Sequence, residues 1–400
     1  MLAAVLIFAA TYFVIAVGRL PGFRVDRTGA GIIGAALMVA FNVLTIQEAY
    51  AAIDYDTIIL LFGMMIVVAN LRLSGFFSAI SARVIAHAHR PLLLMAAIVL
   101  VSGTLSAFFV NDTICLVLTP LVLEVTVAAR RNPVPFLLAV AMGSNAGSVA
   151  TITGNPQNMM IGSFSGIPYT KFMFALAPVA LATMVLTILV IGAVYWKDFR
   201  FETRVDVEPP RVRIHRPLFW KSMIVSAGML VFFFLGWPVP KVAIVAGAVL
   251  LLTRRLKPER IYHEIDWSLL VLFTGLFVVV AGIEKTPAAR ELYAWASEAS
   301  LGRIWALSAV SAVLSNLVSN VPAVLVFKPL IPHLMNPNRA WLALAMSSTL
   351  AGNLTIVGSV ANLIVIHRAR HQAHIGFWEY FKAGAPLTVL SIAAGVLMLS

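Results

Sequence analysis

Apolar segments of about 15–25 residues follow one another along almost the whole chain, and this constrains the fold more than any other feature. In hydrocarbon each backbone N–H and C=O must find a partner inside the protein, so runs of this length fold as membrane-spanning helices. Of 400 residues, 60% are hydrophobic and 12% charged, too few charges to coat a soluble surface of this size. The expected class is an all-α polytopic membrane protein. The first run, residues 2–17, lacks a preceding basic stretch and is read as a retained span rather than a signal peptide. A single cysteine, Cys115, leaves no intrachain disulfide and no multi-cysteine metal site. The formal net charge is +12, but the basic residues sit in short loops between spans, which reads as membrane topology and not as nucleic-acid binding.

Spans are expected near 2–17, 29–46, 57–71, 172–196, 218–235, 241–253, 267–282 and 379–399. Residues 72–90 read as an interfacial helix and 284–302 as an amphipathic segment. Two further stretches, 91–129 and 303–333, read as re-entrant helical hairpins. The first is flanked by Arg90 and by Arg130 and Arg131, so both of its ends prefer the same side. Broken spans are expected at 134–165 and 340–366. The polar stretch 197–217 links a first repeat, 1–196, to a second, 218–400. Basic loops at 18–28, 72–90, 130–133, 197–217, 254–264 and 367–378 are placed inside, with both termini outside, on the periplasmic face of an inner membrane. The first half then makes an odd number of crossings, so the two repeats have inverted topology.

The repeat is visible in paired residues. Ile53-Asp54-Tyr55 matches Ile265-Asp266-Trp267, Gly63 matches Gly275, and Asn111 with Pro120 matches Asn320 with Pro329. Gly154 and Asn158 match Gly358 and Asn362, and Pro178 matches Pro386. The shared order of these features is harder to obtain by chance than any single pair.

Four polar points interrupt the apolar runs. The hairpin tips carry Asn111-Asp112-Thr113 and Ser319-Asn320-Val321-Pro322; the broken spans carry Gly154-Asn155-Pro156-Gln157-Asn158 and Gly358-Ser359-Val360-Ala361-Asn362. Glycine lets a backbone leave helical geometry, and proline removes a donor. Carbonyls released in hydrocarbon cost several kcal/mol unless a cation, a water or the opposing tip meets them, and helix N-termini at such breaks can receive an anion. This is the pattern of a secondary transporter with discontinuous helices. Candidate solute- or ion-binding residues are Asn111, Asp112, Thr113, Asn145, Gly154, Asn155, Asn158, Ser319, Asn320, Thr349, Asn353, Gly358 and Asn362. Asn111, Asn155, Asn320 and Asn362 are the candidates to ligate Na⁺. Each amide also has a structural reading, an interhelical hydrogen bond.

Asp112 is the costliest of these side chains to bury, at about 2.5–3.5 kcal/mol on insertion scales. Burial favours its neutral form and a bound cation its charged form, so it suits exchange of H⁺ or Na⁺ as coupling ion. Asp54, Asp56 and Asp266, at span starts, read as anchors. Lys328 could snorkel or attract an anion. Cys115 offers one soft ligand near a tip, and His367, His371 and His374 share the spacing of one helical face beside basic residues. No Walker or G-x-G-x-x-G pattern is present, so the chain reads as a carrier and not an enzyme, with an associated ATPase subunit left open. A channel or a membrane scaffold remains the alternative class.

With these motifs the whole chain resembles the ion transporter superfamily, which includes the arsenite-efflux permeases, the NhaD-type sodium/proton antiporters and the divalent-anion/sodium symporters. The resemblance implies a homodimer, no cofactor, cations between tip and broken span, substrate between the hairpins, and a transport domain that moves as an elevator. By resemblance, residues 91–196 and 303–399 hold most of the moving parts. The symporter branch carries Ser-Asn-Thr at each tip; here the tips read Val110-Asn111-Asp112-Thr113 and Ser319-Asn320-Val321. Asn111-Asp112 is closer to the arsenite and NhaD branches. The order of expectation is proton- or cation-coupled movement of arsenite or another small inorganic solute, then sodium/proton antiport, then sodium-coupled dicarboxylate transport.

Overall fold

The computed structural model describes residues 2–19, 22–86, 90–200, 212–252, 256–287 and 301–400. Most of the 197–217 linker, most of the 284–302 segment, His87 and His89, and Arg254 and Arg255 lie outside the described residues. Among the described residues the fold is all-helical, and the only strand-like pairing is an isolated bridge between Arg19 and Asp26. Among the described residues, seven helices are long and apolar enough to cross a membrane.

The first half contains α1 (Leu2–Val17), α2 (Arg27–Ala40), α3 (Ile46–Ala52), α4 (Tyr55–Ser74) and α5 (Phe76–Ala86). The hairpin follows as α6 (Pro91–Phe108) and α7 (Asn111–Ala128), and the broken span as α8 (Val134–Ser148) and α9 (Pro156–Ser165). Then come α10 (Tyr169–Val194) and the short α11 (Trp196–Arg200). The second half contains α12 (Arg216–Phe234), α13 (Val239–Leu251), α14 (Pro258–Tyr262) and α15 (Trp267–Glu284). Its hairpin is α16 (Ile304–Val318) with α17 (Asn320–Phe327), its broken span α18 (Pro337–Ala351) with α19 (Val360–Ala369), and its last helix α20 (Phe377–Leu399).

Two boundaries differ from the sequence reading for local reasons. The span expected at 29–46 ends at Ala40, because Thr45 and Glu48 form a capping box that starts α3 as a separate helix. Its Glu48 carboxyl is held down to about 2 by the Lys285 ammonium and the Thr45 amide. In the second hairpin the return helix stops at Phe327, and Ile331–His333 forms a single 3-10 turn. His367 lies in the last turn of α19, but His371 and His374 lie beyond its last residue, Ala369, so the three histidines do not share a helical face.

Corresponding positions do corresponding work. Asp54 caps α4 by accepting from Thr57 N (3.0 Å), and Asp266 caps α15 by accepting from Leu269 N (3.0 Å). A Cβ on Gly63 would overlap the Ala243–Ile244 backbone, and one on Gly275 would overlap Gly31. Thus α4 packs on α13 of the other half, and α15 packs on α2. Hairpin and broken span are likewise locked within each half: Ser106 meets Ser144 (2.9 Å), and Ser311 meets Ser347 (2.5 Å). Finally, α10 and α20 pack together across the halves, and each carries a proline in its interior, Pro178 and Pro386.

The tightest crossing is between α6 and α8, where a Cβ on Gly147 would overlap the Gly103 backbone. Close backbone approach through small residues is how helices gain packing energy without a hydrophobic driving force. Gly147→Ala is therefore expected to lower folded yield and unfolding temperature in detergent. Gly228→Ala, at a position where a Cβ meets nothing within 4 Å, should leave both unchanged or raised. Thermal unfolding of both variants in one detergent checks the contrast.

Candidate functional site

The site is built on the two helix breaks. After Ser148 the chain makes a short 3-10 turn at Ile152–Gly154, and α9 restarts with Pro156 in its first turn, where a missing N–H costs nothing. Asn155 caps that helix: its Oδ1 accepts from Asn158 N (2.9 Å). The carbonyls set free by the break are met by Asn158, whose Nδ2 donates to Ser148 O (3.1 Å) and Thr151 O (3.0 Å). Gly154 is required because a Cβ there would overlap the Ser148 carbonyl. The second break repeats the scheme. Asn362 Nδ2 donates to Gly352 O (2.7 Å) and Thr355 O (3.0 Å), and a Cβ on Gly358 would lie 2.9 Å from Asn316 Oδ1.

Each break is tied to the other through one residue of the preceding helix. Asn145 Nδ2 donates to Asn353 Oδ1 (2.9 Å) and Asn362 Oδ1 (3.1 Å), and its Oδ1 accepts from Asn111 Nδ2 (3.1 Å) and Ser359 Oγ (3.1 Å). Thr349 occupies the matching place in α18: its Oγ1 accepts from Asn155 Nδ2 (3.2 Å) and Gln157 Nε2 (3.1 Å) and lies 3.5 Å from Asn158 Oδ1. All these residues are buried.

The tips close the arrangement. Ser144 Oγ donates to the Asn111 carbonyl (3.2 Å). Oriented to satisfy both ends, the Asn320 amide donates to Ser348 O (3.0 Å) and Gly358 O (3.2 Å) and accepts from Gln157 Nε2 (3.2 Å). Ser319, between α16 and α17, sits at φ 78°, a left-handed conformation that costs a non-glycine residue about 1–3 kcal/mol and that the surrounding packing must impose. Tyr12 of α1 donates to the carbonyl of Pro322 (3.1 Å), which ties this tip to the first helix. Two buried polar atoms of the cluster have no protein partner: Asn111 Oδ1 and Asn353 Nδ2.

In front of the cluster lies a cavity of about 310 Å³. Asn111 and Asp112 from one tip and Ser319 and Asn320 from the other line it, with Pro156-Gln157 and Ser359-Val360 from the two breaks. Asp26, Arg27 and Asp266 also line it. A second space of about 80 Å³ adjoins Asp112, Thr113 and Asp266, beside an ion pair between Arg72 and Glu264. Asn145, Gly154, Asn155, Asn158, Thr349, Asn353, Gly358 and Asn362 are not lining residues of the larger cavity; they form the bonded layer behind it. Cys115 is buried with its Sγ 3.9 Å from Val140 O and does not line the cavity. Lys328 places its Nζ 5.1 Å from the centroid of the Phe164 ring, also away from the cavity.

Arg27 and Asp266 were missed from sequence as cavity residues. Arg27 sits in a basic loop that reads as topology, and Asp266 is the anchor the sequence suggests while also facing the cavity. Gln157 and Ser359 could have been found, since both lie inside the recognised breaks.

Asn145→Ala removes four hydrogen bonds and leaves their partners buried. An unsatisfied buried polar group costs about 1–3 kcal/mol. The variant should unfold at a lower temperature than Thr349→Val in the same detergent, as measured by thermal unfolding.

Comparison with known proteins gives a consistent picture. The chain is 32% identical to the silicon efflux transporter of Oryza sativa subsp. japonica over 94% of this chain and 93% of the relative. It is 32% identical to an uncharacterized transporter of Mycobacterium tuberculosis (99% and 97% covered), and 26% identical to the putative transporter arsB of Dictyostelium discoideum (93% and 87% covered). Its fold is similar to that of the Alcanivorax borkumensis YdaH transporter, with a TM-score of 0.64 at 14% identity, covering 100% of this chain and 96% of the other. The family model described as "CitMHS: Citrate transporter" matches residues 10–350. The protein is a multi-pass membrane transporter of the ion transporter superfamily, and it belongs to the CitMHS citrate transporter family.

Proposed function

We propose that the protein is a proton-coupled secondary transporter of a small inorganic oxyacid or its anion, of which arsenite is the leading example. One observation carries the reading: Asp112, at the tip of one hairpin, faces the same cavity of about 310 Å³ as Ser319 and Asn320 of the other tip and the Arg27 guanidinium. A protonatable carboxyl and a permanent cation lining one cavity give a solute two polar handles. Neutralised, Asp112 lets the loaded site move through a low-dielectric barrier at smaller cost; ionised, it holds the site where water reaches it. The names of the silicon efflux and arsB relatives support a small oxyacid.

A proton is taken as the first coupling ion because Asp112 is the protonatable group of the hairpin tips at the cavity. The oxygens of Asn155, Asn320 and Asn362 each accept a hydrogen bond and keep a second lone pair, so a Na⁺ site on Asn111, Asn155, Asn320 and Asn362 is the alternative. Sodium/proton antiport is the second reading, supported by the acid excess of the lining, where Asp26, Asp112 and Asp266 face Arg27. Carboxylate transport, the activity in the family's description, would use Arg27 instead.

The architecture that goes with this reading has inverted repeats at 1–196 and 218–400, re-entrant hairpins at 91–129 and 303–333, and a homodimer whose hairpins and broken spans move together. Both termini are on the periplasmic side of an inner membrane. In that orientation Gly18, Arg27, Thr28 and Ser268, which line the cavity, sit at the inside ends of their spans, which supports a cavity facing the cytoplasm.

Flux in proteoliposomes under imposed proton, sodium and voltage gradients tests the reading, with arsenite, silicate, phosphate, sulfate, citrate and dicarboxylates as solutes. Asp112→Asn should reduce proton-driven flux by about tenfold or more at unchanged folded yield; normal coupling in this variant would reject the role of Asp112. Arg27→Gln should raise the half-saturating concentration of the solute more than Arg27→Lys does, and equal effects would remove Arg27 from the solute site.

A further inference from the structure

A second cleft lies away from the central cavity, between the first hairpin and the second broken span. Its volume is about 880 Å³. One wall is apolar, with Leu116 of α7 and Leu363 of α19; the rim carries His367, Arg368, Arg370 and His371, and no acid is among the lining residues. Arg370 Nε donates to His371 Nε2 (3.0 Å), and Arg370 Nη1 lies 3.5 Å from His367 Nδ1. These contacts hold the guanidinium in place and leave further N–H groups for a planar or tetrahedral oxyanion. Arg368 and Arg370 are exposed.

The depth of the cleft can be read from helix length. If α19 starts at the second break, near mid-membrane, its 10 residues rise about 15 Å, half of a hydrocarbon core of about 30 Å. Leu363 then lies at acyl-chain depth, and the basic rim, around the helix's last residue, lies at headgroup depth. An apolar wall below a cationic rim matches one amphiphile: a lipid with a phosphate-bearing, anionic head. Charge and depth favour this occupant over a free anion, which would leave the apolar wall unused.

We infer that this cleft binds an anionic phospholipid of the inner leaflet, with Arg368 and Arg370 on the phosphate and the acyl chain along Leu116 and Leu363. The inference rests on the membrane placement proposed above and is independent of the solute carried. Because α7 packs against α19, the lipid would brace the hairpin that bears Asp112.

Native mass spectrometry and thermal unfolding of the purified full-length protein, with phosphatidylglycerol or phosphatidylcholine, test this. The expected result is preferential retention of phosphatidylglycerol and a higher unfolding temperature with it. The double variant Arg368→Gln/Arg370→Gln should lower that preference by about fivefold or more while keeping the unfolding temperature in phosphatidylcholine. Leu363→Trp, which fills the cleft without changing its charge, should lower it as well. Undiminished preference in either variant would overturn the proposal. So would an equal rise in unfolding temperature with millimolar inorganic phosphate, which would make the rim a site for a free anion. Solute flux is not part of this measurement, so failure of the lipid site and failure of the transport reading are separable.

Discussion

A helix interrupted inside a membrane protein must find partners for the carbonyls it releases, and the centre of this molecule is organised by that requirement. Asn158 and Asn362, each a few residues past a break, turn their amides back onto those carbonyls. At both breaks, carbonyls released by the interruption are met from within the chain. What they expose is not loose backbone but a polar floor held by these hydrogen bonds. Preorganisation of this kind reduces the ordering cost of binding a small solute.

The two breaks are also not independent. Asn145 precedes the first and bonds to the second; Thr349 precedes the second and bonds to the first. A shift at either break would strain both, so the two tips that meet at the cavity are expected to move as one body. The rest of the lining is different in kind. Arg27 and Asp266 belong to α2 and to the cap of α15, helices that pack on each other, while α15 also touches the tip helix α17 and, through Phe277 against Phe164, α9. The cavity lies between these two parts, and this is where alternating exposure would be controlled. Tyr12, bonded to Pro322, is a link across that boundary that movement would have to break.

The apolar runs, the two interruptions and their paired residues were enough to locate the helices within a few residues and to mark where the chain must leave helical geometry. That information is local: hydrophobic length, glycine, proline and amide content act on their own neighbourhoods. The short helix α3 was legible in principle from the Thr45 and Glu48 capping pair, which the apolar run read as ending at residue 46 overlapped.

The division of labour among the asparagines was decided only by the tertiary structure. Asn111, Asn145, Asn158, Asn320 and Asn362 are chemically the same side chain. Whether one faces a cavity or a carbonyl depends on which helix crosses it, often from the other half of the chain, roughly two hundred residues away for Asn145 and its partners Asn353 and Asn362. Arg27 shows the same limit: its sequence neighbourhood is an ordinary basic loop, and only the packing of α2 against α15 brings it to the cavity. Sequence determined that the membrane would be crossed by helices and where two of them would break, because burial and backbone hydrogen bonding are set residue by residue. Structure decided which polar groups remain free to meet a solute, because that depends on partners brought together from distant parts of the chain.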